Sequence, residues 1–395
     1  MQEEAKQALL NTFPMALPSL PFEKDMWQSL AEDDRPLLLY GMGNGADKLI
    51  DKLASLGRKP SAVFASDGFV RGQAFRGYTV LSYAEAARLF PEHVVLLSFG
   101  SNRPDVVSYL YDFAMRVPVL IPDMPLAGEE YFTSAFYEAH VEEIKQVYEM
   151  LADEASRDLF ASLIWYKLTG DPTFLRRAVC ASDIEALVGW DTTVSAVDVG
   201  AYRGDTLKEL VERAPCLKSV VAVEPDPKNF KKLALVAASY PALHVECVEA
   251  AAWESDGEMT FASSGNRNAT LENAKKKDHT PSFQHQDKSV KTLKMDTIVQ
   301  GRSFDYIKFD TEGAERSCLL GAEKALKNSV PHMRVSLYHR SEDLFVLPLL
   351  LDKMFSSGYT YYIRRSNVIP AWECDLIAVP KQKGENNGRT LVPGR

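Results

Sequence analysis

The sequence predicts an α/β protein with two parallel, doubly wound sheets, and three observations carry that prediction. Short apolar runs alternate along the chain with segments whose apolar residues recur at helical spacing. Two of the runs, RPLLLYGMGNG at 35–45 and VSAVDVGAYRGD at 194–205, pass straight into a glycine turn and then a helix-patterned segment. The last two runs, TYYIRR and CDLIAVP, read as a strand pair that closes the second sheet with an antiparallel hairpin.

Composition sets the outer limits. A chain of 395 residues is long for one domain and comfortable for two. Its 46% hydrophobic and 25% charged residues match a globular protein that buries a core without staples. A net charge of −9 argues against a nucleic-acid surface, which would be basic. The five cysteines are scattered, odd in number and free of C-x-x-C spacing, so neither a disulfide framework nor a zinc site is expected. The first residues, MQEEAKQALLNTF, lack the apolar core of a secretory signal, and no apolar run is long enough to span a bilayer. These features give the expectation of a cytoplasmic protein with no membrane and no nucleic-acid partner.

Residues 1–34 read as a short helix and a proline-punctuated connector (Pro14, Pro18, Pro21). Residues 35–127 read as a small open α/β domain of Rossmann type. Its first strand meets the turn Gly41, Gly43, Gly45, a helix follows with Leu49, Ile50 and Leu53 facing inward, and the strand AVFASD ends in Asp67. That loose dinucleotide-like signature leaves two readings open: a turn that only needs its glycines, or a nucleotide or nucleotide-sugar site. Residues 128–190 carry apolar positions at helical spacing, from Phe136 to Tyr166, and read as a helical connector that leaves a homodimer open. Residues 191–380 form the larger α/β domain, and 381–395 a disordered tail. Within the larger domain, GEMTFASS reads as a strand reached by a hairpin through Ser255, Asp256 and Gly257 from LHVECVEAAAW. The polar stretch Gly265–Asp287 reads as a mobile lid or insertion.

The opening unit of the larger domain separates cofactors. A dinucleotide fingerprint, G-x-G-x-x-G, delivers a pyrophosphate to a helix N-terminus. Here the loop is D-V-G-A-Y-R-G-D, and Asp198 and Asp205 would repel a pyrophosphate. They suit a ligand bearing an ammonium or sulfonium charge, a description that fits S-adenosylmethionine. Gly200 and Gly204 would let the backbone approach the ligand, beside Tyr202. Glu224 ends the second strand, where a carboxylate accepts ribose hydroxyls, with Pro225 behind it. Glu249 and Ala250 end the third strand and offer a small surface for an adenine. The fourth strand end carries Lys308, Asp310, Glu312 and Glu315, and the fifth Tyr338, His339 and Arg340.

VDVGAYRGDT, VEPDP, the AAAW segment, DYIKFDTEGAE, VSLYHR and ECDLIAVP together resemble the FkbM-type S-adenosylmethionine-dependent methyltransferases. IKFDTEGAE is the most diagnostic block, and the resemblance covers roughly residues 194–380. It implies a Rossmann-like class I methyltransferase sheet and methyl transfer to a hydroxyl of a sugar or secondary metabolite. GAYRGDT stands where many members have G-A-N-x-G, which places Tyr202 at an unusual position. Methyl transfer to a weakly acidic hydroxyl needs a base, and His339, which titrates near neutrality, and Asp310 are the catalytic candidates. Lys308 is expected to pair with a neighbouring carboxylate; Glu315 leaves two readings open, a cap on its helix or, with Asp310 and His339, a divalent-cation site. The alternative is a nucleotide- or nucleotide-sugar-binding protein in which the methyltransferase-like domain is a scaffold.

Overall fold

A computed structural model describes residues 3–262 and 287–381. The expected lid, apart from Asp287, and the tail beyond Lys381 lie outside the described residues. The chain forms two compact units. The first takes Met1–Asp183, Ser336–Val346 and Ile363–Asp375; the second takes Ile184–Val335, Leu347–Tyr362 and Leu376–Arg395.

The first unit contains β1 (Leu37–Tyr40), β2 (Ala62–Ala65), β3 (Ala74–Phe75), β4 (Tyr78–Ser82), β5 (Val94–Leu97) and β6 (Val119–Leu120). They lie in the order β3-β4-β2-β1-β5-β6, parallel except for the β3–β4 pair. Every residue of β1, β2 and β5 is buried, as expected of parallel strands covered on both faces. The helix Asn44–Ser55 turns Ala46, Leu49 and Leu53 onto this core. Four further helices, Ser134–Ala139, Val141–Met150, Glu154–Thr169 and Pro172–Arg177, fill the predicted helical run. Asp153 caps the third of them by accepting from the Ser156 N–H, and Gly170, at φ +65°, ends it. The buried Arg364 guanidinium bridges Asp153 and Asp183 at 2.7 and 2.6 Å. That double pairing offsets much of the cost of burying its charge.

The second unit is organised around β7 (Ser195–Val199), β8 (Ser219–Val223), β9 (His244–Val248), β13 (Tyr306–Phe309) and β14 (His332–Ser336), which pair in parallel. β15 (Tyr359–Arg365) and β16 (Cys374–Pro380) complete a seven-stranded sheet in the order β15-β16-β14-β13-β7-β8-β9. The chain runs from β7 outward through β8 and β9 and then returns to the other side of β7 with β13. The carboxyl ends of β7, β8 and β13 thus flank the point where strand order reverses, the position at which open α/β sheets receive ligands. Trp190, Leu207, Leu210, Val220, Leu233, Tyr306 and Ile377 pack as one buried cluster beside the sheet.

One sequence expectation is corrected here. GEMTFASS was expected to form a hairpin with LHVECVEAAAW. Instead β11 (Gly257–Ala262) pairs antiparallel with β12 (Asp287–Leu293), and β10 (Ala251–Ala252) pairs parallel with β12 from the other side. The Ser255–Gly257 turn connects β10 to β11 without pairing them. Asp256 holds that turn by accepting from the Lys294 N–H at 2.7 Å and the Thr297 hydroxyl at 2.8 Å. Pairing between segments so far apart in sequence leaves no local turn signal.

Candidate active site

The rim of the second unit is sewn together by backbone. After β7 the N–H groups of Gly200 and Ala201 both donate to the Val223 carbonyl, at 3.0 and 2.9 Å. The Asp310 N–H donates to the Val199 carbonyl at 2.9 Å, and the Glu224 N–H to the Val248 carbonyl at 3.1 Å. Gly200 has φ +88°, and a Cβ there would stand 1.9 Å from the Asp310 carbonyl oxygen. The close approach of that carbonyl by itself calls for glycine at this position. Gly204, at φ +84°, precedes the helix Asp205–Arg213 in a left-handed conformation, and its Cβ would press on Val236 at 3.1 Å. Both glycines serve the packing of the chain.

Glu224 follows β8 with its side chain almost wholly buried. Its carboxylate accepts the Tyr202 N–H at 2.8 Å and the Asp226 N–H at 2.9 Å. The first bond ties down Tyr202, a non-glycine residue at φ +48°. Arg203 adds a second tie, its guanidinium 4.7 Å from the Tyr202 ring and its Nε donating to Asn229 Oδ1 at 3.2 Å. Asp226 caps the helix Pro227–Ala238, accepting from the N–H groups of Lys228 and Asn229, while Pro225 is half-buried between the two acids. Burial pushes the Glu224 carboxyl up to about 7. The two N–H donors oppose that rise, and the nearby charges of Asp226 and Asp198 reinforce it.

Asp198 sits on β7 opposite Lys308 of β13, and Lys308 in turn sits opposite Arg334 of β14. Parallel register therefore lines up three ionisable side chains across three adjacent strands. Asp198 is fully buried, and burial pushes its carboxyl up to about 6. Lys308, the Thr206 hydroxyl and Arg334 favour its ionised form, and Asp310 opposes it. The Lys308 ammonium donates to Asp310 Oδ2 at 3.0 Å and to Thr206 Oγ1 at 3.3 Å. Arg334 lies 4.0 Å from Glu209.

The remaining sequence candidates are placed as follows. Asp205 is exposed, with its carboxylate 3.9 Å from Lys208. Glu249 is exposed at the end of β9, and Ala250 is buried behind it with its N–H on the Val248 carbonyl at 3.1 Å. Glu315 is buried at the first position of the helix Glu315–Leu320, and its carboxylate accepts the Thr311 N–H at 2.7 Å in the turn before the helix; Ala314 is the N-cap residue, and the expected side-chain cap is not formed. His339 belongs to the first unit, is fully buried, and its carbonyl accepts the Leu126 and Ala127 N–H groups at 3.0 and 2.9 Å. The structure thus gathers Asp198, Glu224, Lys308 and Asp310 within the second unit and leaves Asp205 at the surface. In the first unit, a Cβ on Gly41 or Gly45 would stand 2.6 Å from the Ser98 hydroxyl or 2.2 Å from its carbonyl. Two of that turn's three glycines are accounted for by the chain itself. Sequence reading missed Thr206 and Arg334, whose part is set by register and by the first turn of a helix.

Comparison with known proteins agrees with this fold. Residues 198–361 match the methyltransferase FkbM domain family. A crystal structure of the methyltransferase FkbM from Methylobacillus flagellatus KT aligns with a TM-score of 0.65 and 18% identity, over 95% of this chain and 97% of that one. An rRNA methylase from Streptococcus thermophilus aligns over 50% of this chain and 94% of that one, with a TM-score of 0.33 and 11% identity, too distant to compare sites. No curated protein matches the sequence. The sheet order and the family match point the same way: residues 198–361 are similar to the methyltransferase FkbM domain family, and the fold is that of the Methylobacillus flagellatus structure.

Proposed function

We propose that this protein is an S-adenosylmethionine-dependent methyltransferase acting on a hydroxyl of a carbohydrate or secondary metabolite. The observation that carries the cofactor reading is the charge of the rim. Asp198, Glu224 and Asp310 stand at the ends of three adjacent strands, with Lys308 bonded to one of them. Such a rim disfavours a pyrophosphate and favours a ligand with ammonium and sulfonium charge. Each Glu224 oxygen already accepts one N–H and keeps a second lone pair, which suits ribose hydroxyls.

When bound, the cofactor supplies an electrophilic methyl group on sulfur. The protein must hold an acceptor oxygen in line with that group and receive its proton. Asp310 is partly exposed and oriented by Lys308, which suits a residue that positions a hydroxyl or takes its proton. The sequence expectation for His339 as base remains part of the proposal. No helix among the described residues is long and apolar enough to cross a membrane.

Calorimetric titration with S-adenosylhomocysteine tests the cofactor assignment. Micromolar binding is expected, and no binding up to millimolar concentration would overturn it. His339→Gln is expected to lower turnover with binding retained; loss of binding in that variant would remove His339 from the catalytic role.

A further inference from the structure

The first unit carries a cleft at the amino-terminal edge of its sheet, the edge opposite the glycine turn. Arg35 stands two residues before β1, His93 directly before β5, and Val117 and Pro118 directly before β6, and these three strands are neighbours. Parallel strands bring their amino ends to one edge, so three distant stretches of chain meet there. Tyr83, which opens the helix Tyr83–Leu89, Glu92 and Arg116 complete the lining, and the cleft has a volume of about 430 Å3. That volume suits a small molecule.

The inner and outer lining differ in chemistry. His93 is buried, with Nδ1 2.8 Å from the Phe90 carbonyl. A carbonyl only accepts, so Nδ1 carries the proton, and Nε2 meets the Tyr83 hydroxyl at 3.2 Å. The Tyr83 ring packs edge-on against both His93 and Phe113. With Val117 and Pro118 these rings form an apolar wall of fixed shape. The outer lining is charged, because Arg35, Glu92 and Arg116 are exposed. Arg116 follows the helix Pro104–Ala114 and engages only Nε, which donates to the Asp112 carbonyl at 3.2 Å. Arg35 engages Nε and Nη2 on Asp33, at 3.0 and 2.6 Å. Among the described residues, Arg35 Nη1 and both terminal nitrogens of Arg116 have no acceptor.

Two carboxylates could compete for these donors. Asp33 is divided between two cations, since Arg58 also acts on it while donating to the Arg35 carbonyl at 3.0 Å. Glu92 forms an ion pair with neither arginine of the cleft. Guanidinium N–H groups that remain available beside an apolar wall match an oxyanion carried on an apolar body, since a planar fork pairs with two oxygens of one head group.

We propose that this cleft binds a small molecule bearing a phosphate or carboxylate, its head between Arg35 and Arg116 and its apolar body against Tyr83 and Pro118. The site lies wholly in the first unit and does not depend on the methyltransferase reading.

The test uses the full chain and reads binding alone. The ring protons of His93, assigned by their absence in His93→Gln, are followed at constant pH during titration with phenyl phosphate, benzoate and inorganic phosphate. Saturable shifts at millimolar concentration or below are expected with phenyl phosphate or benzoate, and the tighter of the two names the head group. Inorganic phosphate lacks the apolar body and is expected to bind about tenfold more weakly or worse. Equal affinity for it would reduce the site to an adventitious ion only and overturn the proposal. Arg116→Gln and Arg35→Gln are each expected to weaken binding about tenfold or more, the usual loss for one charge-assisted pair. Both side chains are exposed, and if removing Arg35 from Asp33 disturbs the fold, Arg116→Gln decides alone. Unmoved His93 resonances, or an affinity unchanged in folded Arg116→Gln, overturn the proposal.

Discussion

Glu224→Gln gives the sharpest test of how the rim is built. In the folded protein the Glu224 carboxyl is pushed up to about 7, from 4.5 in an open chain. Between those values the folded state holds a proton that the unfolded state has released. Stability from this group is therefore complete below about pH 4.5 and is withdrawn as pH rises through about 7. From pH 5 to pH 8 the interval crossed is about two pH units, so Glu224 costs the fold about 3 kcal/mol over that range. Glutamine cannot titrate. It also sets an NH2 against one of the two backbone N–H groups that the carboxylate accepts, which costs about 1–3 kcal/mol at every pH. The variant should thus be less stable than wild type at pH 5, with the difference shrinking or reversing at pH 8. Urea unfolding of ligand-free protein at the two pH values measures both. An identical pH dependence in wild type and variant would refute the argument that burial of this carboxylate governs the rim. Glu224→Ala is a poorer probe, since it removes the support of Tyr202 together with any ribose contact.

Three other outcomes are expected. Because Asp198 and Glu224 titrate at about 6 and about 7 without ligand, S-adenosylmethionine should bind more tightly as pH rises from 5.5 to 8 and should release protons at the lower end. Calorimetry in two buffers of different ionisation enthalpy reads this, and pH-independent binding would contradict it. Gly200→Ala should destabilise the second unit by about 3 kcal/mol or more, since its Cβ would stand 1.9 Å from a backbone oxygen at φ +88°; a melting temperature within a degree of wild type would be the contrary result. Cys216 is exposed, while burial raises Cys318 and pushes Cys374 up to about 12. Thiol labelling under native conditions should therefore find Cys216 fast and Cys318 and Cys374 protected until unfolding.

Local pattern was enough for much of this molecule. The apolar runs at 37–40, 62–65, 94–97, 195–199, 219–223 and 306–309 became strands because alternation with helical segments buries both faces of a parallel sheet. The acids at strand ends were legible for the same reason: a strand that enters a turn delivers its last side chains to the rim. What the chain does with those groups depended on its tertiary arrangement. β11 chose β12 over its neighbour in sequence, since pairing is decided by which edges meet. Gly200 admits the carbonyl of Asp310, more than a hundred residues away, a contact no local pattern announces. Lys308 meets Asp198 only because β13 returns beside β7 in one particular register, and a shift of one residue would turn its side chain to the other face. The sequence by itself determined which elements form and which ionisable groups stand at their ends. Which charges are neighbours, and so which carboxylates are raised and which cation holds them, is a property of register and burial, and only the folded sheet decides it.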